Sequence, residues 1–438
     1  MTQQQSWNAS GIVTPPSSGR DATAVGLEKE SILGMVYEGR PLTLVTGQPI
    51  AGEFLFDLNA PAGQLTVPTI EMAIENGNSS TRAMAIHFAT HHAVVTQTAS
   101  VYEEETQNLI YSTGEIGEFW QVEHQDGSRS PVFRIGEFAD GQQDLPIGPT
   151  YERWSDNRFV NFNRAVIART LRAAGYGPGT HYICVCPGAR NEEVSVDRGV
   201  DPRVQDAFLR GLQPFTIWRN KTERYEVKII QIMPAIPQTF GSHFSFDTDL
   251  LGHSLHPDVP QWSWLDVGFY DGHDVTVRRI GQNVRVSGVK VTDGVSKIVR
   301  GLGAYLRQPG NFPQMAPPSY AQALDMMRSG EVKVGGMPLD DEQEAARGRA
   351  LIRSYKDKEG GTLIRTMMAN HPAVDSVFAF TGGGVIDLRS QILEQTKHRP
   401  KNLTKILPDE VARIANVVGI FWLLNLMKRR KSVLRESY

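Results

Sequence analysis

Residues 264–277 read WLDVGFYDGHDVTV. The segment begins as an apolar strand, bends at Asp266 and Gly268, and returns through alternating residues, so it predicts a β-hairpin. Glycine in the bend lets backbone N–H groups approach an anion closely, and aspartate at a strand end can hold hydrated Mg²⁺ against phosphate. Most D-x-G bends in hairpins bind nothing. A purely structural role for this one therefore stays open.

Two further glycine-rich bends make a binding role more plausible. In residues 68–88, PTIEMAIENGNSSTRAMAIHF, an alternating strand meets Glu75 and Gly77, and a second alternating strand follows. The cluster TGGG at 381–384 follows a strand predicted over 376–380 and precedes a helical pattern over 385–395. A strand, a glycine-rich turn and a helix N-terminus together form the geometry that receives a phosphate or the ribose face of a nucleotide.

The chain length and amino-acid composition are those of a multidomain globular protein. With 438 residues the chain is long enough for two or more domains, and 40% apolar with 21% charged residues supplies a sizeable core. A net charge of −3 argues against a chain-wide surface for nucleic acid. We therefore expect no direct contact with nucleic acid, and expect a partner to grip any DNA that the protein serves.

The cysteines and the first residues indicate a reducing compartment. Cys184 and Cys186 are the only cysteines and lie in one predicted strand, where neighbouring positions rarely suit a disulfide and two ligands do not make a zinc site. We expect both to be buried as small apolar residues. The opening MTQQQSWNASG is polar and has no signal-peptide pattern, so we expect a cytoplasmic protein. His87, His91 and His92 lack a completing carboxylate or cysteine, so no metal site is predicted there.

The first half of the chain alternates helices with strands. Its composition predicts a disordered arm over residues 1–30, and strand-rich sequence runs from 69 to about 138. Helical spacing then leads into strands, which predicts an α/β layer with covered faces. The other predicted elements are strands at 35–37, 42–45 and 53–58, a helix over 156–175, a strand at 182–186 with a turn at Pro187-Gly188, and a strand at 226–233 that ends in PAIPQTFGS.

The second half continues this pattern. Residues 292–306 predict a helix capped near Thr292 or Asp293. The apolar run 414–426 is too short to cross a bilayer, so we interpret 408–431 as a core helix whose basic end complements its dipole, with a lipid or DNA contact as the alternative. The remaining predictions are a strand at 284–286, a Pro-rich connection at 307–319, a small subdomain built from 320–329, a strand at 331–334 and a helix over 340–356, and a separate helix over 361–370.

The chain has two glycine hairpins that carry an acidic residue, each at the start of an α/β half, and a GGG turn late in the second half. This order of motifs resembles the superfamily of ATPases shared by actin, the heat-shock chaperones and the sugar kinases. Within that superfamily the chain looks most like the ParM/StbA group of plasmid-borne bacterial actins, over roughly residues 68–430. The carrying motifs are ENGNSSTR at 75–82, CPG at 186–188, PQTFG at 237–241, DVGFY at 266–270, TDG at 292–294, TGGG at 381–384 and ANVVGIF at 415–421.

Some positions depart from the family pattern. Glu75 stands where the family has Asp, and Arg82 replaces Lys, which changes the geometry toward phosphate. Asp271, Gly272 and His273, followed by Asp274, occupy places where the family has Thr-Thr and then Asp. The resemblance therefore implies nucleotide binding with slow rather than fast hydrolysis.

The resemblance implies an α/β, actin-like ATPase two-domain fold with duplicated mixed sheets around a nucleotide cleft. It divides the chain into four parts. These are 1–66, a disordered arm with a small β extension; 67–255, the first domain, with an insertion at about 89–150; 256–407, the second domain, with a small subdomain at about 307–360; and 408–438, a helix packing back on the first domain, with a basic tail.

It also implies a function and a site. The chain would be a slow ATPase that binds ATP and Mg²⁺, forms filaments with itself, and segregates or stabilises a plasmid through a DNA-binding adaptor, without stable membrane insertion. Asp266 and Glu75 would hold the metal through bound water, and Gln238 would orient the attacking water. The other nucleotide contacts implied are Gly77, Asn78, Thr81, Arg82, Gly268, Thr292, Asp293, Gly294, Gly382, Gly383 and Gly384.

Two alternatives stay open. The chain could be a non-polymerising scaffold or adaptor of the same fold whose altered loops bind nucleotide weakly. It could also be a small-molecule kinase of the superfamily, although no acidic base or sugar-contacting set accompanies the motifs.

Overall fold

The computed structural model describes residues 27–40, 69–104, 118–136, 139, 145–195, 199–280, 283–371 and 376–436. Of the arm predicted over residues 1–30, residues 1–26 lie outside these ranges, as do the strands predicted at 42–45 and 53–58. Contacts divide the chain into two compact units, Met1–Asp258 with Ile414–Tyr438 (unit 1) and Val259–Arg413 (unit 2). The domain boundaries inferred from the sequence stay predictions.

Unit 1 is built on one mixed sheet, to which the described residues contribute ten strands. These are β1 Thr69–Asn76, β2 Ser80–Ile86, β3 Ala93–Ala99, β4 Tyr102–Glu104, β5 Trp120–Glu123, β6 Phe133–Ile135, β7 Gly179–Ala189, β10 Phe215–Arg219, β11 Glu223–Ile232 and β12 Ile236–Pro237. The order is β3-β2-β1-β7-β11-β10-β5-β6-β4, with β12 beside β7. A separate pair is formed by β8 Val194–Ser195 and β9 Gly199–Val200.

The described residues of unit 1 also form six α-helices. They are α1 Ile32–Tyr37, α2 Thr150–Arg153, α3 Asn157–Ala173, α4 Pro202–Gly211, α5 Gln238–Asp247 and α11 Ala415–Glu436. The predicted helix over 156–175 is confirmed as α3, because the Asp156 side chain accepts a hydrogen bond from Arg158 N and Gly175 follows the helix with a φ of 82°. Both α3 and α11 pack on the sheet, and β2 is buried along its whole length. The burial predicted for Cys184 and Cys186 is also confirmed.

Helices α5 and α11 cross with their backbones in contact. A Cβ added at Gly241 would overlap the Asn416 carbonyl, and one added at Gly419 would overlap the Gly241 carbonyl. At the crossing the Ser242 hydroxyl donates to Oδ1 of Asn416 (2.6 Å). The ANVVG motif is therefore a helix-crossing motif, in which Asn416 and Gly419 lie one turn apart on the face toward α5.

Two predictions for unit 1 are wrong. Residues 35–37 are not a strand but belong to α1, whose N-terminus is capped by the Ser31 side chain accepting from Gly34 N (2.9 Å). Pro187 and Gly188 do not form a turn, because β7 continues to Ala189 beside β1 and β12. A Cβ at Gly188 would lie 3.2 Å from Cγ of Gln238. That glycine therefore serves close packing.

Unit 2 has a five-stranded sheet in the order β15-β14-β13-β18-β19. Its strands are β13 Gln261–Val267, β14 Asp271–Ile280, β15 Asn283–Asp293, β18 Val377–Thr381 and β19 Thr404–Ile406, while β16 Lys333–Val334 and β17 Met337–Pro338 form a separate pair. Its helices are α6 Val295–Leu306, α7 Tyr320–Ser329, α8 Glu342–Ala369, α9 Gly384–Thr396 and α10 Asp409–Ala412. All three predicted glycine bends are confirmed: at the β1–β2 hairpin, at the β13–β14 hairpin, and between β18 and α9.

Two predictions for unit 2 are also wrong. Thr292 and Asp293 do not cap a helix; they end β15, and α6 begins at Val295. The helices predicted over 340–356 and 361–370 are one helix, α8. Gly360 and Gly361 stay helical because their missing side chains leave room for α9, where a Cβ at Gly360 would lie 2.9 Å from Cδ2 of Leu388. Nowhere in the described ranges is a helix both long and apolar enough to span a bilayer.

Candidate functional site

The first predicted loop is a tight turn between β1 and β2. Asn76 is paired with Thr81 in the ladder, and the Thr81 hydroxyl donates to Oδ1 of Asn76 (3.0 Å) inside the unit. A Cβ on Gly77 would lie 2.8 Å from the Ser80 carbonyl oxygen, closer than real Cβ contacts allow. Glycine is therefore required at this bend, and the hydrogen bond from Thr81 stabilises the bend.

The two residues that depart from the family pattern in this loop bind each other. Glu75 is paired with Arg82 in register, and Arg82 Nη1 lies 2.6 Å from Oε2 of Glu75. Their side chains are 3% and 10% exposed. The other carboxylate oxygen, Oε1, faces the bend, 3.6 Å from where a Cβ of Gly77 would be. Arg82 thus reaches the loop already bound to a carboxylate.

Sequence reasoning missed a third side chain at this turn, Arg153. It ends α2, is 3% exposed, and donates from Nη1 to the Asn76 carbonyl (2.9 Å) and from Nη2 to the Gly77 carbonyl (3.1 Å). Its guanidinium also lies over the Phe159 ring, 4.3 Å from the centroid. No local pattern marks such a residue, because its partners are main-chain atoms far away in sequence.

Gln238 reaches the same turn. It is the first residue of α5, is 4% exposed, and donates from Nε2 to the Asn76 carbonyl (3.2 Å). The next residue is held from the other side, since Asn191 donates to Oγ1 of Thr239 (2.9 Å). Because the amide nitrogen of Gln238 is directed at Asn76, its carbonyl oxygen Oε1 is the end that can accept a hydrogen bond from a water.

The second loop is the β13–β14 bend of unit 2. Asp266 is paired with His273 across the hairpin and lies beside Thr381 of β18. It is 7% exposed, and a Cβ at Gly382 would overlap its Oδ1. Gly382 has a φ of 90°, which a residue with a side chain rarely adopts. The structure therefore brings the Asp266 carboxylate and the TGGG turn together.

Residues at the start of α6 donate backbone hydrogen bonds to this bend. Gly294 N donates to the Tyr270 carbonyl (3.0 Å), Val295 N to the Gly268 carbonyl (3.2 Å) and Ser296 N to the Phe269 carbonyl (2.6 Å). Gly294 thus holds the bend. Asp293, by contrast, is 62% exposed and forms an ion pair with Lys297 (2.6 Å), and Thr292 is paired with Gly272 in the ladder.

The TGGG turn is anchored at its start and open at its centre. Thr381 Oγ1 and Gly382 N both donate to the Ala412 carbonyl, at 3.1 and 2.9 Å. Gly384 packs closely, since a Cβ there would lie 2.7 Å from the Val267 carbonyl oxygen, whereas a Cβ at Gly383 would meet nothing within 4 Å. Helix α9 begins here without a side-chain cap, and the N–H groups of Val385 and Ile386 donate to the carbonyls of Gly382 and Gly383, at 3.2 and 3.3 Å.

The added acidic residues after the second bend have histidine neighbours. Asp271 Oδ2 lies 3.2 Å from His273 Nε2. Asp274 is fully buried, with His371 Nε2 at 3.6 Å and Asn370 Nδ2 at 3.5 Å from its Oδ2. Burial raises the pKa of Asp274, although both neighbours oppose the rise.

A magnesium ion fits part of this arrangement. The described residues contain no cluster of three or more His, Cys, Asp or Glu side chains placed to hold a metal ion. Mg²⁺ bound to nucleotides needs no such cage, because it keeps several waters and uses one or two carboxylates plus phosphate oxygens. Asp266 suits that role at its strand end. Glu75 has only Oε1 directed at its bend, since Oε2 binds Arg82.

No family model matches the sequence, and no curated protein matches it either. Solved structures do resemble it. The actin-like protein Alp7A has a TM-score of 0.59 at 11% identity, over 84% of this chain and 99% of that one. An archaeal actin homologue in complex with ADP has a TM-score of 0.54 at 14% identity, over 82% and 99%. A ParM from a 15-stranded filament of Clostridium botulinum has a TM-score of 0.52 at 14% identity, over 81% and 98%.

These likenesses span nearly the whole of each solved chain. At such low identity they show the fold, which is the two-domain actin-like fold of the ParM type. The predicted α/β fold class is thereby confirmed.

Proposed function

We propose that this protein binds ATP with Mg²⁺ and, in that state, polymerises into filaments that segregate or stabilise a plasmid or other mobile element. The observation that carries the proposal is the construction of the glycine bends within an actin-like fold. One bend is held by the buried side chains of Arg153 and Gln238, and the other places the Asp266 carboxylate against Gly382. Bends fixed in this way are preorganised for an anion and its metal.

Each site residue has a role in this proposal. Asp266 would hold Mg²⁺ through bound water, Glu75 would offer Oε1 at its own bend, and Gln238 would orient the attacking water through Oε1 of its amide. Backbone groups at Gly77, Asn78 and Gly268 bind phosphate, and Thr81 keeps the first bend in shape. Arg82 has donors beyond the one used by Glu75. The segments Thr292, Asp293 and Gly294, and Gly382, Gly383 and Gly384, contact the nucleoside.

Assembly and turnover follow from the two nucleotide states. Of the proteins with this fold compared above, one was solved with ADP and one as a filament, which supports nucleotide binding and self-association here. Hydrolysis would set filament lifetime, because ATP and ADP stabilise different conformations with different lateral contacts. Slow hydrolysis, a cytoplasmic location and a DNA-binding adaptor that links the filament to the plasmid complete the proposal.

The alternative is a non-polymerising scaffold or adaptor that binds nucleotide weakly. The Glu75–Arg82 ion pair favours it, because a guanidinium already neutralised by a buried carboxylate attracts phosphate less strongly. The two proposals differ in whether ATP increases the size of the particles in solution: it would do so for a filament and not for an adaptor.

The test is right-angle light scattering after adding Mg²⁺ with ATP, GTP, ADP or no nucleotide, with phosphate release followed in the same cuvette. We expect scattering to rise only with a triphosphate and to fall as phosphate appears, and Asp266→Ala to abolish the rise. A matched control is Asp325→Ala, which removes a carboxylate that binds Lys333 on the surface of the same unit and should leave the ATP-dependent rise in scattering unchanged. A flat trace from the wild type under every condition would favour the adaptor. Normal assembly by Asp266→Ala would refute the site assignment.

A further inference from the structure

The guanidinium of Arg153 binds two successive peptide carbonyls at the first glycine bend. Nη1 takes the Asn76 oxygen at 2.9 Å and Nη2 takes the Gly77 oxygen at 3.1 Å. A guanidinium can do this because its two terminal nitrogens lie in one plane at a fixed spacing, which a lysine ammonium does not provide. Both peptide planes are therefore oriented by a single side chain.

The orientation of those planes determines where their N–H groups point. In a trans peptide the C=O and the following N–H point in opposite directions. With the carbonyls of Asn76 and Gly77 turned toward Arg153, the N–H groups of Gly77 and Asn78 point to the opposite side of the bend. Successive N–H groups on one side of a turn form a concave site for an anion.

We propose that Arg153 is a positioning residue for a nucleotide polyphosphate: it holds the bend so that the N–H groups of Gly77 and Asn78 face the phosphates. The inference rests on the proposed nucleotide site and extends it to a residue outside the sequence motifs. It concerns the phosphate end of the ligand, because the bend that Arg153 holds is the proposed phosphate loop.

The surroundings of Arg153 keep its guanidinium in place. Helix α2, which it ends, is tied down at its other end by Thr150 N donating to Oε1 of Glu193 (2.6 Å). The Phe159 ring covers the guanidinium on one face, and Gln238 shares the Asn76 carbonyl from α5. Arg153 thereby links the bend to α2 and α3. Gln238, which is proposed to orient the attacking water, links the bend to α5.

The test compares Arg153→Lys and Arg153→Met with the wild type by isothermal titration of ATP and of adenosine, together with thermal unfolding. Removing a buried charged donor pair should weaken ATP binding by about tenfold or more in Arg153→Met and less in Arg153→Lys, and leave adenosine affinity unchanged. The matched control is Arg203→Met. That guanidinium lies over Tyr151 at 4.4 Å but is 66% exposed and pairs with Asp201, so both affinities should stay within about twofold of wild type.

Two results would overturn the inference while leaving the proposed function intact. One is a folded Arg153→Met variant that binds ATP as the wild type does. The other is an equal loss of ATP and adenosine affinity, which would mean a general structural role. If Arg153→Met does not fold, the ratio of ATP to adenosine affinity in Arg153→Lys decides by itself. A wild type that binds no ATP would overturn the proposed function and this inference together.

Discussion

Arg82 lies directly opposite Glu75 in the β1–β2 ladder, with Nη1 2.6 Å from Oε2 of the glutamate. Both depart from the family pattern, and the structure shows that the two departures form one interaction. A buried ion pair gains little over an apolar pair of similar size, yet loss of one partner leaves an uncompensated charge inside the protein. The two positions are therefore expected to tolerate change only together.

Arg82→Met should lower the free energy of unfolding by about 3–5 kcal/mol, because it leaves the Glu75 carboxylate buried and unpaired. The double variant Glu75→Gln with Arg82→Met should recover most of that loss, as measured by urea denaturation. Arg224→Met is the control. Its guanidinium is 41% exposed and 3.4 Å from Glu226, so the loss should stay below about 1 kcal/mol. A double variant as unstable as Arg82→Met would contradict this account.

Gly419→Ala should destabilise unit 1, because the new Cβ would overlap the Gly241 carbonyl where α11 crosses α5. Forcing the helices apart costs about 1–3 kcal/mol or more, and it also shifts the helix that begins with Gln238. Thermal unfolding gives the measurement, with Gly177→Ala as the control since its Cβ would meet nothing within 4 Å. Equal melting temperatures for the two variants would mean that the crossing is not close-packed in solution.

Gly382 and Gly383 are adjacent but should respond differently to alanine. At Gly382 the φ of 90° is unfavourable for alanine and its Cβ would overlap the Asp266 carboxylate, so a loss of about 1–3 kcal/mol is expected. At Gly383 the φ of −64° suits alanine and the space is open, so stability should change by less than about 0.5 kcal/mol. Differential scanning calorimetry of both variants tests this. A Gly382→Ala variant as stable as Gly383→Ala would contradict the close approach of Asp266 to the turn.

The bends could be predicted from the sequence because their signals are local. Alternation on both sides of Glu75 and Gly77, and of Asp266 and Gly268, marks the hairpins without reference to the rest of the chain. TGGG between a strand and a helix is equally local. These patterns place the candidate loops, and their order along the chain predicts the fold.

What could not be predicted depends on contacts distant in sequence. Nothing near Arg153 indicates that it binds the Asn76 carbonyl, and a sequence pattern shows no main-chain oxygen. The sequence predicts separate helices over 340–356 and 361–370, but the structure has one helix, in which the close packing of Gly360 against Leu388 of α9 outweighs the low helix propensity of glycine. The sequence predicts a helix capped near Thr292 or Asp293. The β14–β15 pairing continues through Asp293 and moves the start of α6 to Val295.

The Asp247–His256 pair should make the stability of unit 1 depend on pH. His256 Nδ1 lies 2.8 Å from Oδ1 of Asp247, its Nε2 is 3.4 Å from Glu28, and its ring stacks on Phe246. The Asp247 hydrogen bond raises the pKa of His256 despite its partial burial, and Glu28 adds to the rise. Burial alone would raise the pKa of Asp247, but hydrogen bonds from His256 and Ser254 and the nearby His243 lower it, so this carboxylate stays ionised near neutral pH.

Because the folded pKa of His256 is above its ordinary value of 6.5, its stabilisation is fully present below pH 6.5 and is lost as pH rises through the folded pKa. His256→Gln should therefore cost about 1–2 kcal/mol at about pH 6 and less at about pH 8.5, since a hydrogen bond to a charged group is the main loss. Urea denaturation at a series of pH values gives the curves. His253→Gln, at a site 72% exposed, is the control and should run parallel to the wild type. A constant difference between wild type and His256→Gln across this range would show that His256 does not change its protonation on unfolding.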